Sequence, residues 1–168
     1  MKWKYSMVGG NAVKPKMKRK DLMSKSDIWN AVNTVLSEYD LSSEDKKLNE
    51  AFIVHQYYSN LESGGHESLF TWFGQYIKEM GIDNYLDKLT GTLEEIGAHN
   101  YARFEKKYCH KMWRLYVALE NDEIEEDEFY KVIEKANDEY FKLNGELEEL
   151  LEIYFVTIHT DLIEVVDD

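Results

Sequence analysis

Residues 26–168 predict an all-α domain of about seven helices, preceded by a basic N-terminal arm over residues 1–25. Three observations carry this expectation. Apolar residues recur at three- and four-residue spacing from Ile28 to Val165, the period of amphipathic helices. One proline in 168 residues, with 32% charged side chains, favours long helices over short strands and turns. The breaks between periodic runs are serine- or glycine-rich, as helix ends are.

The arm is polar and contains Gly9-Gly10 and Pro15. It reads as extended, with one short strand-like stretch around Tyr5–Val8. Ser24 or Ser26 can cap a first helix, with Asp27 favourable in its first turn. Ile28, Val32, Val35 and Leu36 form its stripe. Leu41-Ser42-Ser43 breaks the pattern, and Ser42 or Ser43 with Glu44 and Asp45 starts a second helix. That helix carries Leu48, Ala51, Phe52, His55 and Tyr58, and ends near Ser63-Gly64-Gly65.

A third helix spans about 66–80, with Leu69, Phe70, Phe73, Tyr76, Ile77 and Met80 inward, and Gly81 stops it. A fourth carries Leu86, Leu89, Leu93 and Ile96. Gly91 lies inside it as a point where it can split, and Gly97 closes it. The fifth, about 98–119, shows Tyr101, Phe104, Tyr108, Met112, Leu115 and Leu119. Phe129, Val132, Ile133, Ala136 and Tyr140 mark the sixth. After Asn144-Gly145, the seventh carries Leu147, Leu150, Leu151, Tyr154, Ile158, Leu162 and Val165. So short a connection predicts that the last two helices are antiparallel neighbours.

The chain is long enough to bury a core without staples, and its single cysteine, Cys109, makes no intramolecular disulfide. No signal peptide is legible, and no stretch approaches the roughly 20 apolar residues of a membrane span. These features predict a cytoplasmic protein without membrane contact.

Patterns for catalysis, metals and cofactors are absent from the sequence. No two of His55, His66, His99, His110 and His159 have i, i+4 spacing, and neither H-E-x-x-H nor C-x-x-C occurs. His55 lies on an apolar stripe and reads as a core histidine rather than a ligand. Cys109 has Lys106, Lys107 and Lys111 nearby, but beside core residue Tyr108 it reads as a partly buried, inert thiol. No G-x-S-x-G or phosphate-binding glycine loop is present. No catalytic residue, cofactor or metal is therefore expected.

Charge is the distinctive feature. The net charge is −13, yet residues 1–25 hold eight basic residues against Asp21 alone. The last fifty residues hold 18 acids and three lysines. Such a body repels a phosphate backbone, so the arm is expected to dock on the chain's own acids or on a neighbouring subunit. The alternative is nucleic-acid contact through its lysines, with Trp3 and Tyr5 stacking on bases.

Two acidic groups stand out. Asp122, Glu123, Glu125, Glu126, Asp127 and Glu128 put six carboxylates into seven residues, while helix-dipole stabilisation accounts for one or two. Glu146, Glu148, Glu149 and Glu152 open the last helix, and Asp161, Glu164, Asp167 and Asp168 follow. A helix rises about 1.5 Å per residue, and B-DNA carries one charge per about 1.7 Å of axis. Carboxylates on two helices can thus approach the charge density of DNA. Solubility is the other explanation of the same acids.

The middle of the chain resembles a known family. Glu62-Ser63-Gly64-Gly65-His66, followed by Phe70 and Phe73, is similar to a motif of a bacterial DNA-mimic protein family, the neisserial DNA-mimic-like helical domains. Leu93-Glu94-Glu95-Ile96-Gly97-Ala98 matches a second segment, and the likeness covers roughly residues 45–145. The resemblance implies a helical domain and, for the characterised member, a dimer whose acidic surface engages a transcription factor in place of DNA. The shared residues Gly64, Gly65, Phe70, Phe73, Ile96, Gly97 and Ala98 read as architectural.

The expectation is a non-catalytic acidic protein-binding module that engages a basic DNA-binding regulator without direct nucleic-acid contact. Two other readings use the same residues: an immunity or antitoxin-like inhibitor of a basic nuclease, and an enzyme with an unrecognised carboxylate site. Trp3, Trp29, Trp72, Trp113 and many tyrosines offer more aromatic surface than a small core hides, which predicts a homodimer.

Overall fold

The computed structural model describes residues 6–8, 11–39, 45–143 and 145–168, with side chains from Val13 onward. Trp3, Tyr5, Gly9-Gly10, Leu41 to Glu44 and Asn144, to which some of the expectations above refer, lie outside the described residues. The chain forms two compact units, residues 1–55 with 148–168 and residues 56–147.

In the first unit, β1 (Ser6–Val8) and β2 (Asn11–Val13) form an antiparallel hairpin. β3 (Lys16–Lys18) pairs in parallel with β4 (Glu164–Val166), aligning Met17 with Val165. A 3-10 turn, Arg19–Leu22, leads to α1 (Lys25–Ser37). Ser24 caps α1 and Asp27 bonds back to the Ser24 amide, so one pair satisfies two end groups. The stripe Ile28, Val32, Val35 and Leu36 is buried as expected.

α2 (Lys46–Met80) starts on Asp45, whose carboxylate accepts the Leu48 N–H at 3.1 Å. α6 (Glu146–Leu162) supplies Phe155, whose ring lies 5.4 Å from Trp29 and 6.4 Å from His55. Tyr39 packs edge-on to Phe52 and donates to Asn49 Oδ1 at 2.7 Å.

The second unit holds the rest of α2, α3 (Ile82–Glu95), α4 (His99–Glu120) and α5 (Glu126–Phe141). α3 and α5 both pack on α4. α2 is broken at Gly64 and Gly65, and Gly65 has φ 70°. A Cβ on Gly65 would lie 2.6 Å from Asn137 Nδ2, so both the backbone angle and the close approach require glycine. With that break, the six helices comprise the seven helical segments that the periodicity predicts. The fold among the described residues is all-α apart from the short strands.

Phe70, Phe73 and Ala98 are buried, and Phe70 meets Trp113 edge-on at 5.5 Å. Gly97, with φ 91°, turns the chain out of α3 after Ile96 while the Ala98 N–H bonds Leu93 O at 2.7 Å.

Two local expectations are corrected. Gly91 does not split α3, because buried Leu89, Thr90, Thr92 and Leu93 hold the helix through it. Val165 is not helical, because the chain leaves α6 at Leu162 and pairs with β3 instead. α5 packs on α4 in the second unit, and α6, beyond its first two residues, belongs to the first.

Candidate functional site

The densest acidic group is built by a helix end and a helix start. α4 closes with Asn121 N–H on Val117 O, Asp122 N–H on Leu119 O and Glu123 N–H on Ala118 O. Asp122 takes the left-handed conformation, φ 56°, which a short polar side chain tolerates. The reversal turns Asp122 and Glu123 outward. Glu125 then precedes α5, and Glu126, Asp127 and Glu128 fill its first turn, where the helix dipole favours negative charge.

All six carboxylates are exposed, and none forms an ion pair among the described residues. Leu119, Ile124, Asp122, Glu125, Glu126 and Asp127 line a hollow of about 490 Å³. Four acids with Leu119 and Ile124 make a mainly polar lining, which suits the charged head of a lysine or arginine side chain.

The other predicted contact residues lie on α6. Glu146, Glu148 and Glu149 are exposed and Glu152 is half-buried. Glu146 falls in the second unit with the Asp122–Glu128 turn, whereas Glu148, Glu149 and Glu152 fall in the first.

The outer face of α4 has the opposite sign. Arg103, Lys106, Lys107, His110, Lys111 and Arg114 are all exposed, while Glu105, the only acid between His99 and Leu119, points inward. Lys107 pairs with Glu139 at 3.7 Å, His110 with Asp83 at 2.6 Å, and Lys106 with Glu94. The second unit therefore presents separate acidic and basic surfaces, a division that residue-by-residue reading did not bring out.

The arm is seated on the acidic C-terminal residues of its own chain. Besides the β3–β4 pairing, Glu164 N–H donates to Pro15 O at 2.9 Å and Lys20 N–H to Asp168 Oδ1 at 3.2 Å. Arg19 pairs with Asp167 at 3.4 Å, and Lys14 Nζ donates to Thr160 O at 3.3 Å.

Inside the second unit lies a polar cluster that the sequence reading missed. His66 and Glu105 have zero exposure, and His66 Nε2 is 2.7 Å from Glu105 Oε1. Tyr57 donates to the same oxygen at 2.8 Å. Asn137 Oδ1 accepts the His66 backbone N–H at 3.1 Å and faces His66 Nδ1 at 2.9 Å. Both ring nitrogens thus meet oxygen acceptors, which favours the imidazolium. Burial opposes that charge, but the Glu105 carboxylate and the hydrogen bonds to Glu105 and Asn137 outweigh it and raise the His66 pKa. Tyr57, His66 and Glu105 are fully buried and Asn137 half-buried, and together they tie α2, α4 and α5 to one another.

The remaining chemical candidates are internal. Cys109 is buried, and burial, then the Glu105 charge, pushes its thiol pKa well up, so it is a poor nucleophile. His55 is buried and its pKa falls to about 4 through desolvation, as a core histidine's does. Among the described residues no three His, Cys, Asp or Glu side chains form a group able to hold a metal. No helix there is long and apolar enough to cross a membrane.

A helical protein with an exposed, unneutralised acidic turn and an architectural double-glycine break is what fold and surface define. The chain belongs to the DMP19-like protein family, the DNA mimic protein 19 group, whose model matches residues 42–159. The match covers the Gly64-Gly65 break, the Asp122–Glu128 turn and most of α6. No curated protein and no solved structure matches the chain.

Proposed function

We propose that the protein is a non-catalytic binding module whose acidic surface stands in for DNA phosphates and engages a basic DNA-binding protein. The observation that carries this reading is the run Asp122–Glu128, six exposed carboxylates without ion-pair partners among the described residues. Self-repulsion makes such a run costly, and a basic partner relieves that cost. Membership of the DMP19-like family supports the reading. In this proposal Glu146, Glu148, Glu149 and Glu152 supply further negative charge to the partner, and the protein acts in the cytoplasm, where DNA-binding proteins are met.

The test compares wild type with the variant Asp122→Lys, Glu123→Lys, Glu125→Lys, Glu126→Lys as baits in lysate of the native host. The expected result is a DNA-binding protein retained by wild type alone, released as salt rises, and displaced by duplex DNA. Retention unchanged by charge reversal, or indifferent to duplex DNA, overturns the proposal. A nuclease captured in the same salt-sensitive way would redirect it to the inhibitor reading.

A further inference from the structure

We propose that the edge of β4 is a binding site for an extended basic segment, and that the chain's own residues 14–20 occupy it as an intramolecular competitor. This rests on the acidic-surface reading above and adds to it a second site and its regulation.

The structure holds a basic segment on an acidic one. Lys14, Lys16, Lys18, Arg19 and Lys20 run beside Asp161, Glu164, Asp167 and Asp168. The contact has two parts. Backbone pairing, Lys16 with Glu164 through Lys18 with Val166, is indifferent to side-chain identity. Selectivity comes from the alternation in β3: Met17 turns inward at 8% exposure, while Lys16 and Lys18 face out. A partner that fits β4 therefore presents a strand of cation, apolar residue, cation, followed by further cations, and reaches it by adding a strand to the edge.

The occupant is held in a way that allows exchange. Three residues of parallel pairing make a small ladder, and short two-stranded sheets are marginal by themselves. The Arg19–Asp167 pair is 65% and 92% exposed, so water and salt screen it. Beside β3 a cleft of about 640 Å³, bordered by Met17, Asp27, Asn30, Ala31, Thr34 and Val166, leaves open space against α1. Within residues 14–20 only Pro15 and Met17 are buried, so release of the segment uncovers two apolar side chains of its own. While seated, residues 14–20 supply the cations that an external partner would bring.

The test locks the segment without altering any charge. In the full chain, Met17→Cys with Val165→Cys places two thiols at aligned positions of the parallel pair, while Cys109 is too buried to join them. The probe is a fluorescein-labelled synthetic peptide with the sequence of residues 11–20. Fluorescence anisotropy should show the reduced protein binding it roughly tenfold or more tightly than the oxidised one, since docking lowers apparent affinity by the fraction of open protein. Wild type should not respond to reductant. Equal binding in both states overturns the competitor; no binding in either state overturns the β4 site itself, and in both cases the acidic-surface reading keeps its own test by charge reversal at Asp122–Glu126. Wild type gives a second readout should the disulfide fail to form. Added peptide should speed amide hydrogen exchange at residues 16–20, and unchanged exchange with peptide bound overturns the proposal.

Discussion

His66 Nε2 lies 2.7 Å from Glu105 Oε1, and solvent reaches neither side chain. The pair links the helix that follows the double-glycine break to the middle of α4. Asn137 brings in α5, the helix whose first turn carries Glu126, Asp127 and Glu128. The acidic turn is thus presented by a helix that the buried cluster positions.

Glu105→Gln removes the charge opposite a buried imidazolium while keeping the shape. Breaking a buried pair by deleting one partner costs about 3–5 kcal/mol. Urea denaturation should show a loss in that range. A loss below about 1 kcal/mol would mean that the pair is neutral as folded, with one proton shared between two uncharged groups.

The raised pKa of His66 sets the sign of its pH dependence. The folded chain retains a proton that the unfolded chain releases as pH passes 6.5. The stabilisation is complete below 6.5 and is lost as pH rises through the folded pKa. Stability measured from pH 6 to 9 should therefore fall, and the fall should be weaker in Glu105→Gln. An unchanged slope in that variant would remove His66 as its source.

His55 works in the opposite direction. Its folded pKa of about 4 lies below the ordinary 6.5, so the unfolded chain takes up a proton in that interval and the folded chain does not. Stability is lost as pH falls from about 6.5 to about 4, by on the order of 3 kcal/mol at most. His55→Leu should flatten this acid limb relative to wild type. Parallel acid limbs would assign the loss to carboxylates instead.

Two glycines should respond to alanine in opposite ways. At Gly65, with φ 70° and Asn137 within 3 Å of a new Cβ, alanine should cost about 1–3 kcal/mol or more. At Gly91, inside α3 with nothing within 4 Å, alanine should add about 0.5–1 kcal/mol. Thermal melts of both variants check this, and equal shifts would contradict the contrast.

Charge reversal at the acidic turn should leave the fold intact. Asp122, Glu123, Glu125 and Glu126 are exposed and make no ion pair among the described residues. Relief of repulsion and loss of favourable dipole contacts nearly cancel, while lysine in the left-handed conformation of Asp122 costs about 1 kcal/mol, so the four-lysine variant should stay within about 2 kcal/mol of wild type. A larger destabilisation would mean that these acids serve folding, which would weaken their assignment to a partner.

Helical periodicity and glycine punctuation were enough to predict the seven helical segments and the buried stripe of α1, because burial on one face imposes a 3.6-residue repeat on sequence; they left the cap open between Ser24 and Ser26, and the structure selects Ser24. Charge counting located the acidic turn, because exposed runs carry their sign openly. Side-chain pairing was harder to read. Glu105 falls on the core phase of α4, between Phe104 and Tyr108, and that misplaced acid is the signal that could have marked the cluster. Its partners lie 39 residues away at His66 and 48 away at Tyr57. On α2 the buried tyrosine is Tyr57 rather than Tyr58, since residues Ala51 to His55 are buried on all sides and no single stripe exists to extrapolate.

Composition and periodicity by themselves determined the helical class, the starts and breaks of most helices and the acidic sign of the Asp122–Glu128 run, all of which depend on residues near one another in the chain. Tertiary structure alone decided that α5 packs on α4, that the chain leaves its last helix to pair with β3, and that His66 meets Glu105. These contacts join residues distant in sequence, and their energy depends on complementary shape, burial and charge at the point of meeting, which no local pattern records.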